Sequence, residues 1–154
     1  EMQGSIMGLF ASKKGGVPKP SVEKLQVLEQ GCVGDKQNDT KHHGGPNRAV
    51  CIFCRETIEQ LISEGHPIFP GSVGENLLVQ DVSWREISAG TQFHFENVIL
   101  QVTGDAPPCK TIKESFLNNE FNRISAKKFP HSTRWYAKVI QSGELVVGEQ
   151  FTIN

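Results

Sequence analysis

Apolar residues along this chain come in short bursts separated by polar and glycine-rich stretches, and most bursts are too short for helices. Ser5 to Phe10 reads as a first strand, and Leu25-Gln26-Val27-Leu28 as a second. Ala49-Val50-Cys51-Ile52-Phe53 is an unbroken apolar run, as expected of a buried strand. Leu77-Leu78-Val79 follows Gly74-Glu75-Asn76, and Val98 to Thr103 forms another strand-like run before a Gly104-Asp105-Ala106 break. Two segments, Gly90-Thr91-Gln92-Phe93-His94-Phe95 and Gly148-Glu149-Gln150-Phe151-Thr152-Ile153, share the pattern Gly-x-Gln-Phe-x-apolar. Each predicts a turn entering an alternating strand. Trp135 to Ile140 and Leu145 to Val147 flank Gln141-Ser142-Gly143-Glu144, which predicts a hairpin.

The helical period occurs in two stretches. Ile58, Leu61 and Ile62 recur at helical spacing, and Gly65 and Pro67 close that helix. Leu117, Phe121 and Ile124 predict a second helix over Ser115–Phe129, ended by Pro130. Strands and helices do not alternate regularly, which argues against a doubly wound sheet. The pattern predicts a mainly β (α+β) fold, an antiparallel barrel with a few helical insertions.

With 154 residues, the chain is expected to be one domain over 1–154, long enough to bury roughly two-thirds of its unfolded surface. The start at Glu1 rather than Met reads as trimming or a tag remnant, and residues 1–4 as such a remnant or a disordered start. A net charge of −1 argues against nucleic acid as a stable partner. No apolar run approaches a membrane span, and the start has neither the basic nor the apolar region of a signal peptide. The four cysteines, Cys32, Cys51, Cys54 and Cys109, are expected to be reduced and the protein cytoplasmic. Cys51 and Cys54 form a C-x-x-C without a second one. Zinc there would need His42 or His43, and core packing is the favoured reading.

The chemistry centres on Pro107-Pro108-Cys109-Lys110. Thr111-Ile112-Lys113-Glu114 has the Ser/Thr-x-x-Glu pattern of a capping box, so Cys109 is expected just before a helix N-terminus, held by a rigid Pro-Pro approach. The unpaired N–H groups there favour a thiolate. Such a thiolate serves as nucleophile, sulfur carrier or soft metal ligand. Polar loops supply companions. Lys13, Lys14 and Lys19 lie in a Gly/Pro-rich loop suited to an anion or phosphate. His42 and His43 stand beside Gly44, Gly45 and Arg48. Asn76 offers an amide to a planar ring edge, and Arg134 a fork to phosphate. Together they describe an anionic, polar cofactor near a reactive sulfur.

Six motifs occur in an order that resembles MOSC domains, named after the C-terminal domain of molybdenum-cofactor sulfurases: Ser12-Lys13-Lys14-Gly15-Gly16-Val17-Pro18-Lys19, Gly34-Asp35-Lys36-Gln37, His43-Gly44-Gly45-Pro46-Asn47-Arg48-Ala49-Val50, Gly74-Glu75-Asn76-Leu77, Gly90-Thr91 and Pro108-Cys109. The likeness runs from about Ser5 to Ile153 and is that of a stand-alone bacterial-type member. It implies a distorted β-barrel that binds the molybdenum cofactor, a pterin dithiolene with a terminal phosphate. Cys109 matches the family cysteine. In relatives that reduce N-hydroxylated compounds that cysteine is a molybdenum ligand, and in sulfurase contexts it is proposed to carry persulfide sulfur. Lys14 matches near the phosphate-contacting loop, Asn76 matches an amide near the cofactor, and His42, His43 and Arg48 border the pocket. Arg134 abuts Trp135, where the family often has Gly-Gly between the two. The chain has no room for a pyridoxal-phosphate desulfurase domain, so no pyridoxal phosphate is expected, and it lacks plant-type iron–sulfur spacing. A separate reductase or sulfur-donor protein is therefore the expected partner.

Overall fold

The computed structural model describes residues 2–36 and 44–154. Among the described residues there are eleven strands: β1 (Met2–Phe10), β2 (Ser21–Val22), β3 (Lys24–Leu28), β4 (Gly31–Cys32), β5 (Val50–Cys54), β6 (Leu77–Gln80), β7 (Gln92–His94), β8 (Ile99–Ala106), β9 (Arg134–Gln141), β10 (Gly143–Val146) and β11 (Gln150–Ile153). Seven of them close into a barrel in the order β1-β11-β7-β8-β9-β5-β6, with β6 returning to β1. β1 makes the closure. Its first residues pair with β11 (Met2 opposite Ile153), and its second half pairs with β6 across a bulge between Ile6 and Gly8. The strand starts at Met2 rather than Ser5, because β11 offers a paired edge to Met2, Gln3 and Gly4.

β5 is buried along its whole length, as its unbroken apolar run requires. It pairs antiparallel with β9 and parallel with β6, so the barrel is mixed rather than purely antiparallel. The parallel pair needs a crossover, and helix α1 (Arg55–Ser63) begins it. Thr57, Ile58 and Leu61 face the core, while Ile62 is exposed. The helix ends in a Schellman motif. Gly65 takes a left-handed φ of 97°, its N–H reaches Ile62 O at 2.9 Å, and His66 N–H reaches Leu61 O at 3.1 Å.

The two Gly-x-Gln-Phe segments become β7 and β11, and they pair with each other, Phe93 opposite Ile153. Phe93, Phe95 and Phe151 form one ring cluster, with centroids 5.0–6.4 Å apart.

Three further sequence expectations are corrected. The predicted hairpin does not form: the chain turns after Gln141, but β10 pairs with β3 in a separate three-stranded sheet, β10-β3-β4. The Gly104-Asp105-Ala106 break is the end of β8, absorbed by a register shift between Val102 and Gly104. The helix expected over Ser115–Phe129 is a chain of 3-10 turns at Lys110–Ser115, Leu117–Asn119 and Phe121–Ile124. Asn118 and Asn119 adopt left-handed φ values of 52° and 58°, which interrupts the helical path and leaves Leu117 exposed. No helix among the described residues is long and apolar enough to cross a membrane.

Candidate functional site

Asp35 joins three of the polar motifs. Its carboxylate accepts the Ser12 N–H at 2.8 Å, Lys19 Nζ at 2.7 Å and Asn76 Nδ2 at 2.8 Å. Asn76 extends this anchor into the barrel. Its Oδ1 accepts the Cys51 N–H at 3.0 Å, and its backbone N–H donates to Cys51 O at 2.9 Å. The side chain thus acts as an extra ladder partner for β5 where β6 begins. Lys19 and Asn76, expected to face a ligand, are both buried, and their polar atoms are held by protein groups. Buried polar groups demand such partners. These two residues build the wall.

Arg134 opens β9 with its guanidinium buried. Nη1 donates to Val73 O at 2.7 Å, and Nη2 to Ala106 O at 3.2 Å and Pro107 O at 3.3 Å. Its fork therefore holds backbone rather than projecting toward a phosphate. Beside it lies Glu75, completely buried, accepting the N–H groups of Gly71 at 2.9 Å and Val73 at 3.3 Å. Burial pushes this carboxyl up to about 6, against the pull of those N–H groups and of Arg134.

Cys109 follows the segment that Arg134 holds. It is extended (φ −138°, ψ 173°) and precedes the 3-10 turn Lys110–Ser115. The capping box does not form. Instead of capping the turn, the Thr111 hydroxyl lies 2.9 Å from Cys109 Sγ. Cys109 is partly exposed, whereas Cys32, Cys51 and Cys54 are buried and unbridged. Burial raises the thiols of those three, Cys32 to about 12 and Cys54 to about 11. Cys51 and Cys54 are three positions apart on one strand, so they face opposite sides. Cys51 packs with Ala106 and Tyr136, and Cys54 joins the main core. This is the core packing that the sequence favoured. Among the described residues no three His, Cys, Asp or Glu side chains cluster as metal ligands.

On the outer face of β5, β9 and β8, Cys51, Tyr136 and Gly104 lie in one cross-strand row. The Arg48 guanidinium sits over the Tyr136 ring at 5.8 Å, a cation–π contact. A Cβ on Gly104 would meet nothing within 4 Å, so the row ends in open space. That space is a cleft of about 560 Å³, whose lining includes Arg48, Gly104, Tyr136 and Lys138. Burial pushes the Tyr136 phenol well up, and charge on Cys51 and Cys109 pushes the same way. Tyr136 therefore stays protonated at neutral pH, and it forms part of the cleft wall.

Lys13 and Lys14 are exposed on a turn where Ser12 Oγ donates to Gly15 O at 3.0 Å. A Cβ on Gly74 would lie 3.6 Å from Val17 Cγ1 and 3.9 Å from Arg134 Nη1. The basic loop, the Gly74 turn and the anchor of the Cys109 segment thus adjoin one another. His42 and His43 lie outside the described residues.

The MOSC domain profile matches residues 39–152, most of the chain. The chain belongs to the MOSC family. The family is generally linked to molybdenum-cofactor binding. This MOSC chain is 26% identical over 137 residues to the uncharacterized protein YflK of Bacillus subtilis, covering 87% of this chain and 60% of that protein. It is 27% identical over 118 residues to protein YiiM of Escherichia coli, covering 73% of this chain and 53% of that one. The chain therefore spans less than two-thirds of either relative. The solved structure of the YUAD protein from Bacillus subtilis superposes with a TM-score of 0.78 at 17% identity, covering 99% of this chain and 96% of that one. YiiM from Geobacillus stearothermophilus superposes with a TM-score of 0.73 at 17% identity, covering 98% and 75%. These two likenesses show the fold.

Sequence reasoning passed over three residues of this candidate site: Glu75, Gly104 and Tyr136. For Glu75 a signal existed. A carboxylate and an amide directly before Leu77-Leu78-Val79 must enter the interior with that strand and find partners there. Gly104 and Tyr136 gave none, because their meeting depends on a cross-strand register set by a bulge.

Proposed function

We propose that this protein binds the molybdenum cofactor and reduces N-hydroxylated compounds, with Cys109 as a sulfur ligand to molybdenum. The observation that carries the reading is the contrast among the thiols. Cys109 alone of the four is not buried, and it lies beside an anchored wall of polar loops. The donor chemistry suits the group. A thiolate is a soft ligand of the kind a redox-active metal takes. Lys13 and Lys14 present exposed ammonium groups for a terminal phosphate. Arg48, with Tyr136 beneath it, borders the open cleft.

When bound, the cofactor supplies two-electron chemistry at molybdenum. The chain's own residues do the rest. Cys109 donates its sulfur. Arg134 and the prolines hold the segment that presents it. Tyr136 keeps a neutral, protonated face beside it. A separate reductase is the electron source this proposal names.

The test is expression with molybdate in a host that makes the cofactor. Bound molybdenum would then be measured, along with reduction of an amidoxime by a generic low-potential donor. The reading expects metal near one per chain that is lost in Cys109→Ala, together with turnover. Metal-free protein carrying cyanide-labile sulfur on Cys109 would overturn it in favour of a sulfur or molybdopterin carrier. Neither signal would defeat both.

A further inference from the structure

We infer that Arg134 is the positioning residue for Cys109, holding its segment through carbonyl oxygens because the two prolines leave it few other handles. Pro107 and Pro108 have no N–H, so the approach to Cys109 cannot be held by its own donors at those positions. The backbone groups left to grip are carbonyls, and gripping carbonyls takes a donor. Arg134 Nη2 lies within reach of both Ala106 O (3.2 Å) and Pro107 O (3.3 Å), while Nη1 binds Val73 O (2.7 Å). One planar cation therefore ties the Cys109 approach to the turn that carries Glu75 and Asn76.

The side chain cannot drift. Arg134 is 4% exposed, and it sits opposite Ala106 in the β8–β9 register, two pairs beyond Gly104 and Tyr136. Its Nε finds no acceptor among the described residues, so the grip comes wholly from the two terminal nitrogens. Lysine keeps the charge but loses the fork, and a single ammonium on a flexible stem cannot span the same carbonyls with fixed geometry. The residue acts on Cys109 through the backbone, and so it is a positioning residue rather than a catalytic one.

The inference builds on Cys109 as the working thiol, but its test uses cofactor-free protein and fails or succeeds separately from the molybdenum reading. In Arg134→Lys, alkylation of Cys109 by iodoacetamide should accelerate by about fivefold or more. Exchange of the Ile112 amide, which donates to Cys109 O at 3.2 Å, should accelerate by a similar factor, while the Val102 amide in β8 stays protected. In Arg134→Ala, millimolar guanidinium should slow the alkylation back toward the native rate. Native rates at both Cys109 and Ile112 in Arg134→Lys would overturn the inference, as would loss of protection at Val102 to the same extent as at Ile112. If neither variant folds, nitrogen-15 spectra of the unaltered protein decide. Separate, slowly exchanging Arg134 Nη signals are expected, and signals averaged like those of an exposed arginine would overturn it.

Discussion

Lys19 Nζ lies 2.7 Å from Asp35 Oδ2, and the two side chains are only 6% and 2% exposed. Because Asp35 also holds the Ser12 N–H and Asn76 Nδ2, removing its carboxylate strands three donors at once. Breaking a buried pair from one side costs roughly 3–5 kcal/mol, since the remaining charge keeps its desolvation penalty. Asp35→Ala is therefore expected to lower unfolding stability by that order in urea titrations. Lys19→Met, which fills the volume without a charge, should cost less than Lys19→Ala.

Glu75 predicts an unusual pH dependence. Its carboxyl rises from 4.5 to about 6 on folding, chiefly through burial. The folded state thus binds this proton more tightly than the unfolded state. The resulting stability is fully present below about 4.5 and is lost as pH rises through about 6, a change of about 2 kcal/mol. In Glu75→Gln this slope should vanish. The stability of the native protein minus that of Glu75→Gln should fall by about that amount between pH 4.5 and 7, and subtraction removes opposing groups such as Glu64, whose carboxyl Arg123 lowers. A difference independent of pH would contradict the prediction.

The sequence disclosed most strands because period and composition are local. β5, α1 and the paired Gly-x-Gln-Phe strands all follow from side chains that must face a core. It misplaced what depends on distant partners. Leu145 and Val146 face β3 rather than β9, and nothing in the turn at Gln141 to Glu144 encodes that choice. The apolar stripe of Leu117, Phe121 and Ile124 suits a helix, yet Asn118 and Asn119 break it. At the site, the cluster of motifs was legible but the duty of each residue was not. Lys19, Asn76 and Arg134 are polar residues in loops or at the start of a strand, which reads as ligand binding. Whether such a residue faces inward depends on whether acceptors such as Asp35 Oδ2 or Val73 O come within 3 Å of it, a fact of tertiary structure.

The cysteines predict a simple titration. A thiolate is the reacting species, and burial raises the thiols of Cys32, Cys51 and Cys54. Folded protein should react with a chromogenic disulfide reagent at one thiol within minutes, and at all four after denaturation. Cys109→Ser should abolish the fast phase and leave the fold intact. A second fast thiol would show that a buried cysteine is more accessible than its packing implies.

Lys14 stands in the same loop as Lys19 and predicts the opposite outcome. It is exposed, so Lys14→Ala should change stability by no more than about 0.5 kcal/mol. If this loop meets a terminal phosphate, the loss should appear in cofactor retention instead. An ammonium near a dianion attracts it with a strength that salt screens, because both charges face water. Molybdenum retained after gel filtration should therefore fall in Lys14→Ala and further in Lys13→Ala/Lys14→Ala, and the deficit should narrow as ionic strength rises. Equal retention at every salt concentration, with unfolding unchanged, would remove the loop from the cofactor's binding surface.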